Sequence, residues 1–298
     1  MTTLYIDSKK VSALYIDGKP VQLKVPQYLT IEPLSSATPD ADKTSITLKN
    51  SASTSLTSTF EAKLNDGAWT TVSWEDVSHG IDYNLVKACD SSKETISFGE
   101  KLQIRGLDKW NNSCSLKVTC AGGAKVSGKL ADSLTPEYAA STTFYKLASF
   151  FSGSTGLKDA SGLDLGDIAL ANYCYYRMFS GCTSLTQAPE LPATALANYC
   201  YSYMFNWCTS LTQAPALPAT TLAVGCYSSM FKGCTNLTQA PALPATALAS
   251  NCYNSMFNSC TKVTELHYPA SIQNDETFTG MSGSPWFGAT NATVHYDL

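Results

Sequence analysis

A repeat of 26 residues limits what this chain can fold into more than any other feature. Cys174, Cys200, Cys226 and Cys252 lie 26 residues apart, as do Cys182, Cys208, Cys234 and Cys260. The same spacing holds for Met178, Met204, Met230 and Met256, and for the Phe that follows each of them. The unit reads C-Y-x-x-M-F-x-x-C-T-x-L-T-Q-A-P-x-L-P-A-T-x-L-A. A fixed period of this length outweighs local propensity and implies stacked structural units. A weaker copy upstream aligns Phe150–Leu157 with Met178–Leu185 at an offset of 28. Downstream, the pattern decays after Val263 through Phe278-Thr279-Gly280-Met281 to Ala292–Tyr296. Atypical ends are expected of terminal units, which have a neighbour on one side only.

Within one unit the apolar positions fall at Cys174, Met178 and Cys182, and again at Tyr175 and Phe179. On a helix these form one apolar stripe, which predicts an amphipathic helix packed on one side. Leu185, Ala188 and Leu191 suit an extended segment. Pro189 and Pro192 remove ladder donors, so only a short strand is expected, around Leu185 to Gln187, followed by a turn or polyproline-like stretch. Each repeat is thus expected to be one helix plus one extended segment.

Two regions of different texture precede the repeats. Residues 1–26 contain a duplication, Leu4–Val11 followed by Leu14–Val21, with apolar alternation around Asp7-Ser8 and Asp17-Gly18. That is hairpin chemistry and predicts a β-hairpin arm. Residues 27–135 carry alternating runs at Ser45–Leu48, Phe60–Leu64, Ala68–Val72, Glu94–Phe98, Lys101–Arg105 and Ser115–Thr119. Short strands between turn signals such as Asn65-Asp66-Gly67 predict an immunoglobulin-like β-sandwich. The expected fold class is therefore mixed α and β: the arm, the sandwich, and a capped leucine-rich-repeat solenoid over 136–298.

The unit Phe-x-x-Cys-Thr-x-Leu followed by a Leu-Pro pair resembles the BspA-like subclass of leucine-rich repeats, over roughly residues 144–298. That family is found in surface proteins of gut and oral bacteria and in proteins of their phages. A strand-rich region ahead of C-Y-x-x-M-F repeats also resembles fibre and adhesion-like proteins of Bacteroides-type phages. These resemblances imply a binding or structural role on a surface.

The chemistry-bearing residues point the same way. Charged residues make up 15% of the chain and the net charge is −4, so there is no basic surface for nucleic acid. No stretch approaches the length of an apolar membrane span, and residues 1–7 lack the pattern of a classical export signal. The cysteines recur as C-x7-C with no partner histidine, which favours buried free thiols over a metal site. One bridge among Cys89, Cys114 and Cys120 stays open. His79, His267 and His295 sit in three different local settings, and no nucleophile elbow or phosphate loop is present. No cofactor and no catalytic residue is expected, although a pair of distant carboxylates acting on a glycan stays open.

Comparison of the repeats isolates four positions that vary while the stripe does not. They are Tyr173/Tyr199/Gly225/Asn251, Tyr176/Ser202/Ser228/Asn254, Arg177/Tyr203/Ser229/Ser255 and Gly181/Trp207/Gly233/Ser259. On that face Tyr173, Tyr176, Arg177, Tyr199, Tyr203 and Trp207 gather in the first two full repeats, and these residue types make rigid amphipathic contacts. They are expected either to meet a ligand or to pack against the preceding sandwich or a neighbouring subunit. The leading expectation is a non-enzymatic virion-surface protein, a fibre or decoration of a gut phage. Its arm and sandwich would hold other virion proteins, its repeats would meet a host surface glycan or protein, and it could form a homo-oligomer such as a trimer. A bacterial cell-surface adhesin and a glycan-active enzyme are the alternatives.

Overall fold

The computed structural model describes residues 14–16, 19–21, 26–35, 43–50, 58–74, 76–77, 82–108, 110, 114–272 and 292–298. In chain order the front half contains β1 (Leu14–Ile16), β2 (Lys19–Val21), β3 (Leu29–Pro33), β4 (Ser45–Asn50), β5 (Thr59–Leu64), β6 (Thr70–Ser73) and β7 (Tyr83–Asn84). It continues with α1 (Leu85–Cys89), β8 (Leu102–Arg105), β9 (Cys114–Thr119), β10 (Ala124–Lys129), α2 (Leu130–Ser133) and α3 (Pro136–Ala140). The repeat half adds β11 (Leu157–Asp164), β12 (Glu265–His267) and β13 (Thr293–His295).

β1 and β2 pair antiparallel across Asp17-Gly18; the first copy of the duplication, residues 4–11, lies outside the described residues, as do His79 and Phe278–Met281. A six-stranded sheet has the order β11-β10-β3-β8-β5-β6, and a three-stranded sheet the order β7-β4-β9. Alternation sets their buried faces: Leu29 and Ile31 on β3, Leu102 and Ile104 on β8, Leu116 and Val118 on β9. The Asn65-Asp66-Gly67 turn joins β5 to β6, with Asn65 at φ 51 and Gly67 N donating to Leu64 O at 3.0 Å. Two of the three short helices, α1 and α3, start at a side-chain cap. Asn84 Oδ1 accepts from Lys87 N at 3.1 Å, and Thr135 Oγ1 from Tyr138 N at 3.3 Å with Pro136 in the first turn.

The expected fold class does not form. The described α-helices are three, of five, four and five residues, and all lie before residue 141; the one other described helix is a three-residue 3-10 turn, Ala270–Ile272. The front sheets depart from the immunoglobulin-like plan. β3 lies inside the larger sheet, antiparallel to both β10 and β8, and the edge strand β11 comes from the repeat half and runs parallel to β10. Nor do the repeats build a leucine-rich-repeat solenoid of one helix and one ladder strand each. Among described residues the segments flanking the A-P-x-L-P stretches contribute only isolated bridges: Asp159 of β11 with Gln187, Gln213 with Gln239, and Thr221 with Ala247. The two prolines per repeat supply no ladder donors, which keeps each bridge from growing into a strand.

The helix predicted over Cys174–Cys182 is replaced by a chain of turns. Tyr173, Arg177 and Gly181 take φ of 61°, 58° and 75°, a left-handed residue at every fourth position. An α-helix has 3.6 residues per turn and right-handed φ throughout, so it cannot hold this period. The backbone donors then divide into two sets. The N–H groups of 174, 176, 178, 180 and 182 close local turns on the carbonyls three residues back. Those of 173, 175, 177, 179 and 181 donate to Asn198, Cys200, Ser202, Met204 and Asn206 of the next repeat, at 2.7–3.0 Å. The pattern recurs at 199–207 and 225–233, and Tyr145, Ser149, Phe151 and Gly153 begin it by donating to Asn172, Tyr176, Met178 and Ser180.

This arrangement leaves the apolar stripe on one side of each turn chain, stacked on its copies. Phe151, Phe179, Phe205, Phe231 and Phe257 form one column with ring centroids 5.4–5.6 Å apart, and Tyr175, Tyr201, Tyr227 and Tyr253 a second. None of the eleven cysteines is in a disulfide. The thiols of Cys182, Cys208, Cys234 and Cys260 donate to the carbonyls of Phe151, Phe179, Phe205 and Phe231 in the repeat before, at 3.0–3.2 Å. The residue at this position must be small, apolar and still able to donate, a combination that a buried thiol satisfies. Among described residues no helix is long and apolar enough to cross a membrane.

Candidate binding surface

Three of the four variable positions are left-handed; the fourth, that of Tyr176, is not. A left-handed backbone costs a non-glycine residue about 1–2 kcal/mol. Glycine or asparagine is the low-cost occupant, as at Gly225 and Asn251. Yet the first two full repeats place Tyr173, Tyr199, Tyr203, Arg177 and Trp207 there, at φ of 57–61°. Bulky aromatic residues held in a sparsely populated conformation on an accessible face point to a role beyond packing.

Five of the six expected residues come together. Tyr173 stacks on Tyr199 at 4.8 Å and 6°, and Tyr176 stands edge-on to Tyr173 at 5.7 Å and to Tyr203 at 5.8 Å. The Arg177 guanidinium lies 5.2 Å from both the Tyr176 and the Tyr203 rings. All four tyrosines are half-buried, and Arg177 is exposed. Burial, followed by its neighbours Tyr145, Tyr199 and Tyr176, raises the Tyr173 phenol above its ordinary value. Burial also raises Tyr176, with Arg177 pulling the other way. Both hydroxyls are therefore neutral at physiological pH and serve as donors and acceptors.

Trp207 stands apart, one turn further along. It is 51% exposed. One face of its indole lies on Gly233, where an added Cβ would sit 2.7 Å from Trp207 Cε3. At the matching position of the preceding repeat stands Gly181, which has no side chain to cover the other face. The surface thus offers a row of phenol rims, one guanidinium and one open indole face.

Three members of this surface escaped the sequence reading. Tyr145 extends the ladder upstream, stacked on Tyr173 at 4.6 Å; it sits in the degenerate first copy, outside the 26-residue register. Gly225 and Gly233 are the seats of the last rings, and their side-chain absence had been read only as variation. A Cβ on Gly225 would fall 2.2 Å from Tyr199 Cε1. Because Tyr199 and Asn251 hold the same φ at the equivalent positions, the ring and not the backbone decides what fits. Gly225→Ala is therefore expected to expel the Tyr199 ring from its stack. The check is the upfield ring-current shift of the Tyr199 aromatic protons, and an unchanged shift would count against the seat.

The repeat thiols are buried, and those of Cys182, Cys208, Cys234 and Cys260 donate to carbonyls. His267 and His295, expected in separate settings, are brought side by side at the far end of the stack, with ring centroids 4.8 Å apart. Compared with protein-family models, with curated proteins and with solved structures, the chain matches none.

Proposed function

We propose that this chain is a non-catalytic attachment protein whose aromatic face binds a glycan of a host cell surface. The observation that carries this reading is the set of bulky residues held at left-handed positions in only the first repeats, where the later repeats use Gly, Ser or Asn. Gly or Asn would hold this backbone at lower cost, yet the first repeats keep aromatic side chains there. A polyhydroxylated ligand suits the chemistry: the open face of Trp207 meets the C–H face of a sugar ring, and the phenol rims and Arg177 bond its hydroxyls or acid groups. The motif resemblance supports display on the surface of a phage virion, with the strand-rich front half held by other virion proteins.

The later repeats supply a conservative test. Serine already occupies the positions equivalent to Tyr203 and Trp207, as Ser229, Ser255 and Ser259 at φ of 53–66°. The double variant Tyr203→Ser, Trp207→Ser is expected to keep the stability of the parent within about 1 kcal/mol. It should lose about thirtyfold or more in affinity for host surface polysaccharide, as removal of a central aromatic anchor does. Direct titration of purified polysaccharide checks this, and equal affinity of parent and variant would overturn the proposal. A wild-type chain that binds no host glycan would do the same.

A further inference from the structure

The last two strands bring together groups that are far apart in sequence. β12 and β13 pair in parallel with Glu265 opposite Thr293, Leu266 opposite Val294 and His267 opposite His295. Side chains two apart on a strand share a face, and in-register partners share it too. Glu265, His267, His295 and Asp297 consequently project to one side. The carboxylate of Glu265 and ring nitrogens of His267 and His295 all lie within 4.8 Å of one another. Glu265 Oε2 is 3.9 Å from His267 Nε2.

The fourth group acts from behind. Asp297 Oδ1 is 2.8 Å from His267 Nδ1. An ionised carboxylate can only accept, so Nδ1 donates to Asp297, and in the tautomer that ligates a cation the Nε2 lone pair is turned toward Glu265. A carboxylate on the rear nitrogen of an imidazole is the usual support of a metal-binding histidine: it fixes the tautomer and raises the basicity of the ligating nitrogen. Two imidazoles and one carboxylate are a donor set for a borderline cation such as Zn²⁺, whereas Ca²⁺ and Mg²⁺ prefer oxygen alone.

We propose that Glu265, His267 and His295 bind one zinc-class divalent cation, with Asp297 orienting His267. Glu265 and His267 come from the strand that follows the last repeat, and His295 from the C-terminal strand, so the ion ties that strand to the end of the stack. The three protein ligands leave one coordination position for water.

Equilibrium dialysis of the full chain against Zn²⁺ is expected to give one ion per chain at micromolar free metal. His295→Ala should weaken this by about 100-fold or more, because it removes a ligand. Asp297→Ala should weaken it by about 10–100-fold, as loss of an orienting carboxylate does. In the wild-type chain, Co²⁺ should give a spectrum of nitrogen and oxygen ligation without a thiolate charge-transfer band, a readout that depends on no variant. The proposal is overturned by zinc stoichiometry and affinity unchanged in His295→Ala, by a thiolate–cobalt band showing that the ion goes to cysteine, or by no binding to the wild-type chain.

Discussion

The protein is expected to unfold cooperatively in mild alkali, starting near pH 9, long before its backbone is at chemical risk. Burial raises the thiol of Cys174 from the ordinary 9.0 to about 11, and those of Cys182, Cys200 and Cys260 to about 12. It pushes Cys208, Cys226 and Cys234 up as well. Below pH 9 these groups are protonated in both states and their contribution is complete. Between 9 and about 12 the unfolded chain sheds thiol protons that the folded chain retains, so stability falls as pH rises. Each fully suppressed thiol contributes about 1.4 kcal/mol per pH unit, and seven of them approach about 10 kcal/mol per unit, against a typical total stability of 5–15 kcal/mol.

Other groups modify this without reversing it. The buried phenols of Tyr175, Tyr201, Tyr253 and Tyr268 are raised by burial and add to the fall above pH 10. Lys146 acts in the opposite sense. It is fully buried, donates to the carbonyls of Ala139 and Ala169 at 3.0 Å, and has its pKa lowered by desolvation, so below its ordinary value it favours folding more as pH rises. One lysine cannot offset seven thiols. Circular dichroism and thiolate absorbance followed together should change in one transition. Thiolates that appear singly near pH 9 with the fold intact would show that the columns are open to water.

How far the sequence could be read depended on which interaction set each feature. Strands fixed by alternation were legible: Phe60–Leu64, Lys101–Arg105 and Ser115–Thr119 overlap β5, β8 and β9, and the Asn65–Gly67 turn lies where its residues require. Their pairing was not legible, because the partner of β10 at the sheet edge, β11, lies in the repeat half and alternation carries no record of it. The apolar stripe of the repeat was read on the correct residues and assigned to the wrong element. Cys174, Met178 and Cys182 recur at a spacing of four, and over nine residues a period of 3.6 and one of 4.0 select the same positions. What separates them is the residue before each, at 173, 177 and 181, which must be left-handed; Tyr and Arg there gave no sign of it, whereas Gly181 and Gly233 did. For the candidate surface, variation among repeats picked out the ladder residues. It could not reveal that Gly225 and Gly233 carry its last rings, nor that β13 returns His295 to His267.

Gly156→Ala is expected to be among the most damaging single-methyl additions to the chain, because it falls where the two halves meet backbone against backbone. Gly156 N donates to Val118 O at 2.9 Å, and its carbonyl accepts from Ala124 N at 2.8 Å, immediately before β11 begins. On either side, Leu116 N donates to Phe150 O, and the Ser154 hydroxyl donates to Leu116 O and accepts from Val118 N, both at 3.0 Å. These bonds require the chain at 154–156 to lie flat against β9. A Cβ on Gly156 would fall 2.1 Å from Cys120 N and 2.7 Å from Thr119 C. Backbone atoms cannot rotate aside as a side chain can, so β9 and β11 must separate and those bonds with them. A cost of about 3 kcal/mol or more follows, at the upper end for overpacking. Gly153 supplies the comparison within the same segment: its φ is +75°, but a Cβ there would meet only Lys117 Cε at 3.8 Å. Gly153→Ala should therefore cost only the left-handed penalty of about 1–2 kcal/mol. Urea unfolding of both variants separates the two effects. If Gly156→Ala proved no more destabilising than Gly153→Ala, the halves would not be joined through this contact.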